Sequence, residues 1–235
     1  MAIFNARLTG INRAELLRYA GLTKKPNYFP ESLLSEACNQ GQILSQPKGC
    51  WQNYDYDAAT GIILADSPLK LTGASICSHL ASATAVSILA VTIGPALEQQ
   101  VTQNFSNGEY TAGLLLDAAG TVAVESAADQ LNELITRQAA NQGLTTLRRF
   151  SPGYGDWNIN VQPYILSLAQ QQSIGITTTE RCMLLPRKSI TAIIGLKPAD
   201  VTYPLSCYTS DNSCSNCNKT NCFARKESQN DDYNF

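Results

Sequence analysis

The segment "LRRFSPGYGDW", residues 147–157, puts two arginines, a Pro-Gly pair and three aromatic residues into one short stretch. Adjacent residues of an extended chain project to opposite sides, so one of Arg148 and Arg149 can face water while the other turns inward. A guanidinium grips a carboxylate through two parallel hydrogen bonds, and a cation desolvated over an aromatic face gains up to about 2 kcal/mol. The glycines of Ser151-Pro152-Gly153-Tyr154-Gly155 let the backbone come close to a bound group, and Tyr154 offers a flat wall with a hydroxyl handle. These residues suit recognition of a zwitterionic amino-acid ligand, with or without a sulfonium. An ordinary type I or type II turn with surface arginines fits the same residues.

A second candidate lies on a long helix expected over residues 109–141. Its first half, "TAGLLLDAAGTVAVESAADQL", is rich in small residues and poor in charge. Gly113 and Gly120 each cost about 1 kcal/mol of helix propensity relative to alanine, so something must pack close to the backbone there, either a neighbouring element or a ligand. Asp117 and Glu125 lie roughly 80° apart around the helix. Asp117 is read as solvated. Glu125, flanked by Val122, Val124 and Ala128, points into a partly dry groove and needs a cationic partner, which the arginine pair can supply.

The cysteines form a third candidate. Cys38, Cys50, Cys77 and Cys182 are scattered singly, as small buried hydrophobes are. Cys207, Cys214, Cys217 and Cys222 crowd the C-terminal end with one C-x2-C pair. No export signal is visible at the N-terminus, which implies a cytoplasmic chain with reduced thiols and a metal site in preference to disulfides. Four thiolates suit zinc or an iron–sulfur cluster, although the outer gaps are looser than a zinc ribbon, and a metal-free tail is the third reading.

These residues need elements to hold them. The chain has 235 residues, enough for one substantial core, with 44% apolar and 15% charged residues and a net charge of −2. That charge gives no basis for nucleic-acid binding. The longest nearly uncharged run, "LASATAVSILAVTIGPAL", is broken by Gly94-Pro95 and reads as a buried strand, not a membrane span. Asn12, Glu15 and Gly21 mark the ends of a short helix, and "PESLLSEACNQGQ" reads as a second. "KGCWQNYDYDAATGIIL" reads as a strand or hairpin, "GASICSHLASA" as a helix and "AVSILAVTIG" as a strand, and a helix then follows Pro95. After the arginine segment come a helix near "INVQPYILSLAQQQ" and strand-like stretches "GITTTERCML" and "SITAIIGL". Helices and strands do not alternate strictly, so the fold class is α+β.

"RRFSPGYGDW" and the later "SIGITTTERCMLLPRKSITAIIGL" resemble the activation domain of cobalamin-dependent methionine synthase. In that family an arginine, three residues and a Gly-Tyr pair form the turn that binds S-adenosylmethionine. Arg149, Gly153 and Tyr154 keep that separation, and Thr179, Glu180, Pro186 and Ser189 match the second segment. Glu125 falls where a ligand-binding acid of the long helix would sit. The resemblance spans residues 80–196 and implies a single domain with a bent, mainly antiparallel sheet and flanking helices. Residues 1–204 would form the activation-like domain, 205–225 a cysteine-rich metal-binding tail and 226–235 a disordered end.

The resemblance further implies a function in reductive methylation. Cobalamin oxidised to cob(II)alamin is restored when an electron donor, such as a flavodoxin or ferredoxin, supplies one electron and S-adenosylmethionine supplies the methyl group. Arg149 would hold the ligand carboxylate, Tyr154 would line the pocket and Glu125 would pair with the amino group or sulfonium. The backbone of Ser151, Pro152 and Gly153 would hydrogen-bond the ligand. Cobalt is the nucleophile, so no catalytic side chain of this chain is required. The sequence departs from the family where "GLKPADVTYP" stands in place of a "HP.S.YF" segment. It carries no cobalamin-module signature, and its one histidine, His79, reads as packed or capping. Cobalamin would therefore be carried by a partner, the methionine synthase core or another corrinoid protein. A metal- or iron–sulfur-containing activator of another corrinoid methyltransferase, or a non-catalytic ligand-binding regulator, are the alternatives. The tail is expected to copurify with metal under anaerobic conditions. Iron with labile sulfide would mark a cluster and stoichiometric zinc a structural site, and a chain holding neither would remove the metal reading.

Overall fold

The computed structural model describes residues 3–23 and 28–199. The four clustered cysteines, the boundaries after residues 204 and 225 and the C-terminal end all lie outside the described residues.

Local sequence chemistry accounts for the first elements. After β1 (Phe4–Asn5), the Asn12 side chain accepts from the Glu15 N–H at 3.2 Å and starts α1 (Arg13–Tyr19), and Gly21, at φ +73°, turns the chain out of it. α2 (Glu31–Leu44) begins at Pro30 and runs through Gly41. β2 (Lys48–Asp57) and β3 (Ile62–Leu64) form a hairpin whose turn is closed by the Asp57 carboxylate, which accepts from the Ala59 and Thr60 backbone. β4 (Leu69–Lys70), α3 (Ala74–His79) and β5 (Ala85–Thr92) follow. Pro95 precedes α4 (Ala96–Ser106), and α5 (Tyr110–Ala140) is a single 31-residue helix. β6 (Leu144–Thr146), α6 (Gln162–Leu168), β7 (Thr177–Thr178), β8 (Leu184–Leu185) and β9 (Ser189–Pro198) complete the described chain.

Seven of the strands build one antiparallel sheet in the order β4-β3-β2-β5-β9-β6, with β1 also paired to β2, and β7 and β8 pair separately. Its centre is β5, paired with β2 from Lys48↔Thr92 to Asp55↔Ala85 and with β9 from Ala85↔Leu196 to Thr92↔Ser189. β5 is buried on both faces, as its continuous apolar run requires. Its side chains divide by alternation. Leu89 and Val91 meet α4 and α5 together with Ala192, Ile194 and Leu196 of β9. Val86, Ile88 and Ala90 meet Ile76, Trp157, Ile165 and Leu166 on the opposite face. α1 and α2 form a further layer against the outer side of α5, through Leu16, Leu34, Leu115 and Ala119. The α+β architecture with a mainly antiparallel sheet and flanking helices is as the sequence implies. Among the described residues no helix is long and apolar enough to cross a membrane.

Two readings need correction. "GITTTERCML" is not one strand but the β7–β8 hairpin, closed where the Thr179 hydroxyl accepts from the Met183 N–H and Cys182 takes φ +58°. Thr179 therefore shapes a turn, while Glu180 is exposed at its tip. Asp117 is not merely solvated, because the Lys188 ammonium lies 2.9 Å from it and also donates to the Thr121 hydroxyl.

The small residues of α5 are explained by close helix packing. A Cβ on Gly113 would press on the Phe105 ring, and one on Gly120 would sit 2.5 Å from Leu97 Cδ2. The close neighbour is α4, not a ligand. On α2, a Cβ on Gly41 would lie 2.8 Å from the Ala119 Cβ of α5, an atom with no rotamer to retreat into. Gly41→Ala gains about 1 kcal/mol of helix propensity against about 1–3 kcal/mol for overpacking. The expected result is a lower Tm in thermal unfolding, and an unchanged or raised Tm would contradict this helix spacing.

Candidate functional site

Arg149 reaches its position through the sheet edge. Beyond β6 the chain stays against β9, with the Leu147 N–H donating to the Gly195 carbonyl at 2.8 Å and Phe150 exchanging two 2.9 Å backbone bonds with Ile193. A Cβ on Gly195 would sit 2.6 Å from Leu147 Cδ1, so the bare backbone there lets the segment lie close. Arg148 is exposed and Arg149 turns inward, its side chain 21% accessible.

Inward means toward α5. One Arg149 nitrogen, Nη2, stands 2.6 Å from Asp129 Oδ1 and 3.5 Å from Glu125 Oε2. The expected cationic partner of Glu125 is therefore Arg149, but the nearer acid is Asp129, which the sequence reading missed. Asp129 lies four residues beyond Glu125 on the same helix face, a spacing that could have revealed it. The other nitrogen, Nη1, is buried and has no hydrogen-bond partner among the described residues. Tyr19 of α1 also belongs to this neighbourhood, since burial and then the Glu125 charge push its phenol above the ordinary range. Arg18 stacks on the Tyr19 ring, with its guanidinium carbon 4.0 Å from the centroid, and is bonded to Glu15.

The turn after Arg149 is built from two successive bends. Tyr154 N–H donates to the Ser151 carbonyl, with Pro152 second and Gly153 third at φ +91°, the type II arrangement. Trp157 N–H then donates to the Tyr154 carbonyl around Gly155 at φ +54°, and Gly153 N–H donates to the Trp157 carbonyl at 2.8 Å. The Gly153 and Tyr154 amides thus serve the turn itself. Trp157 anchors it in the core at 1% exposure, whereas Tyr154 stands 56% exposed with its ring against Phe150. His79 is packed, as its sequence setting implies, against Phe150, with Nε2 2.8 Å from the Arg148 carbonyl. Asp156 was also missed. Hydrogen bonds from the Ser75 backbone and hydroxyl and the Ala74 backbone hold its carboxyl below the usual carboxylate range.

Elsewhere, an open groove of about 550 Å³ lies between α4 and α5 at Val101, Phe105, Leu114 and Arg187, away from Arg149. Ser189, from the second matched segment, bonds Thr92 across the β5–β9 pair. Among the described residues no group of three or more His, Cys, Asp or Glu side chains could hold a metal ion.

Arg149 is mostly covered, but Asp129 is 63% exposed, so their attraction is largely screened. A double-mutant cycle on Arg149 and Asp129 is expected to give a coupling of about 0.5–1 kcal/mol in folding stability. A coupling several times larger would make Arg149 a structural residue first.

No family model matches the chain, and no curated protein matches it in sequence. Among solved structures it is similar to the MetH reactivation domain bound to AdoHcy, with a TM-score of 0.59 and 12% identity over 86% of this chain and 81% of that one. At that identity the likeness shows a shared fold.

Proposed function

We propose that this chain binds S-adenosylmethionine at the Arg149 turn and serves as a reactivation component for a cobalamin-carrying methionine synthase core or related corrinoid methyltransferase. The observation that carries the proposal is the state of Arg149. Its guanidinium is drawn inward and fixed from one side by Asp129 and Glu125, and its buried Nη1 keeps donor capacity. That donor is covered in this structure, so the carboxylate of an amino-acid ligand would take it only once the side chains around it part. The AdoHcy bound by the solved likeness belongs to the same ligand class and supports the choice.

The two carboxylates beside Arg149, Glu125 and Asp129, favour a cationic member of that class. S-adenosylmethionine carries a carboxylate, an ammonium and a sulfonium, for a net charge of +1. The same molecule without its methyl group is neutral. Arg149 would hold the carboxylate, Glu125 would face the ammonium or sulfonium, and the exposed Tyr154 ring would wall the site. The ordered turn 151–157 would let the ligand meet a fixed surface, which lowers the ordering cost of binding. The corrinoid, held by the partner, would supply the nucleophile that accepts the methyl group. This chain's task would be to present that methyl group, so it needs no acid–base side chain for the transfer.

Calorimetry tests the assignment. Wild type is expected to bind S-adenosylmethionine more tightly than AdoHcy, and the gap should narrow as salt rises. Arg149→Ala is expected to weaken S-adenosylmethionine by at least about tenfold. A variant that binds as tightly as wild type would remove Arg149 from the site. Restoration of cob(II)alamin on a candidate partner only when S-adenosylmethionine and a reductant are present would separate this role from plain ligand binding.

A further inference from the structure

The turn's internal hydrogen bonds fix its shape but not its place. Pairing to β9 ends at Phe150, and between there and buried Trp157 the segment crosses the surface. What holds it is α3, at both ends. At the helix start, Asp156 Oδ2 accepts from the Ala74 N–H at 2.6 Å and Oδ1 accepts from the Ser75 N–H at 2.9 Å. At the helix end, His79 Nε2 meets the Arg148 carbonyl at 2.8 Å and its ring lies 5.2 Å from that of Phe150.

The contact leaves no spare room. A Cβ on Gly155 would fall 2.7 Å from Ser75 Oγ and 2.9 Å from Ser75 Cβ. From the other side, a Cβ on Gly73, at φ +119°, would meet Asp156 Oδ1 at 3.2 Å and Trp157 Cα at 3.4 Å. Glycines on both partners therefore permit the approach, and the two anchors enclose Arg149, Gly153 and Tyr154 between them.

We propose that α3 is the positioning element of the ligand turn and that Asp156 and His79 are its positioning residues, setting where Arg149 and the Gly153-Tyr154 pair stand relative to Glu125 on α5. The ligand named here rests on the function proposed above, whereas the bracket itself does not. Neither residue need touch the ligand. Asp156 supplies acceptors that the first amides of α3 otherwise lack, and charge-assisted bonds of this kind are the stronger sort. His79 adds an aromatic contact as well as its hydrogen bond.

Three variants separate the contributions. Asp156→Ala removes both acceptors, Asp156→Asn keeps one, and His79→Phe keeps the ring against Phe150 while losing the hydrogen bond. Hydrogen exchange at the Gly153, Tyr154 and Trp157 amides reads the turn, with amides inside α5 as the control. Asp156→Ala is expected to speed exchange at the turn by about tenfold while the control is unchanged, with Asp156→Asn and His79→Phe in between. Affinity for S-adenosylmethionine should fall in the same order and be partly rescued in Asp156→Asn. Turn amides that exchange as in wild type overturn the bracket. Faster exchange with undiminished affinity overturns its positioning role. A wild-type chain that gives no binding heat overturns the functional reading alone, and the exchange arm then decides the bracket. Should Asp156→Ala not fold, the two milder variants carry the same comparison.

Discussion

Positions 117, 121, 125 and 129 form a single row on α5, each four residues from the next, and this row is what the helix keeps out of its apolar packing. Asp117, Thr121, Glu125 and Asp129 occupy it, flanked by buried Leu116, Ala118, Val122, Val124 and Ala128. The row drifts about 40° per step around the axis. Two cations from other elements each span one half of it. Lys188, just before β9, takes Asp117 and Thr121, and Arg149 takes Glu125 and Asp129. At this exposure ion pairs add little to folding free energy. What they mark is geometrical: with the buried stripes of α5 setting its rotation, these residues are the ones that face the start of β9 and the edge segment.

This placement matters because α5 is covered on three sides. Leu131, Ala123 and Ala127 face the sheet, Gly113 and Gly120 face α4, and Leu115 and Ala119 face α1 and α2. A helix enclosed this way has few directions left for charge, and Glu125 and Asp129 consequently point to the corner where Arg149 arrives. That corner draws on three layers: the edge segment alongside β9, α5 itself, and Tyr19 of α1. The site is thus a product of layer stacking, with each wall held by a different part of the core.

Much of this was legible in the sequence. The capping signals around Asn12 and Gly21, the long helix and the buried strand ahead of Gly94 follow from local chemistry. So do the inward turn of one of two adjacent arginines and the need of Glu125 for a cation. Local chemistry did not say that Arg149 is the one that meets it. Contacts between segments distant in sequence were not legible. Lys188 lies 67 residues from Thr121, and no local pattern announces that pairing. Asp156 reads as an ordinary turn acid until α3, more than 80 residues earlier, is brought against it. The glycines of α5 were ambiguous for the same reason. Their demand for a close neighbour was plain, but only the fold shows that Phe105 and Leu97 of α4 meet it. "GITTTERCML" misled because β-branched residues mark extended chain without marking where it reverses.

The sheet's two outer strands carry a consequence of their own. β4 spans two residues and β6 three, so each outer strand itself offers very little unpaired backbone. Further in, residues 50–54 of β2 lie between the stretches paired to β1 and to β3 and have no strand on that margin among the described residues. Long bare margins invite other chains to add on by main-chain pairing, and short ones discourage it. Strand addition to this sheet is therefore limited to short windows of this kind, and a wider grip on the rim would draw on complementary shape and side-chain chemistry.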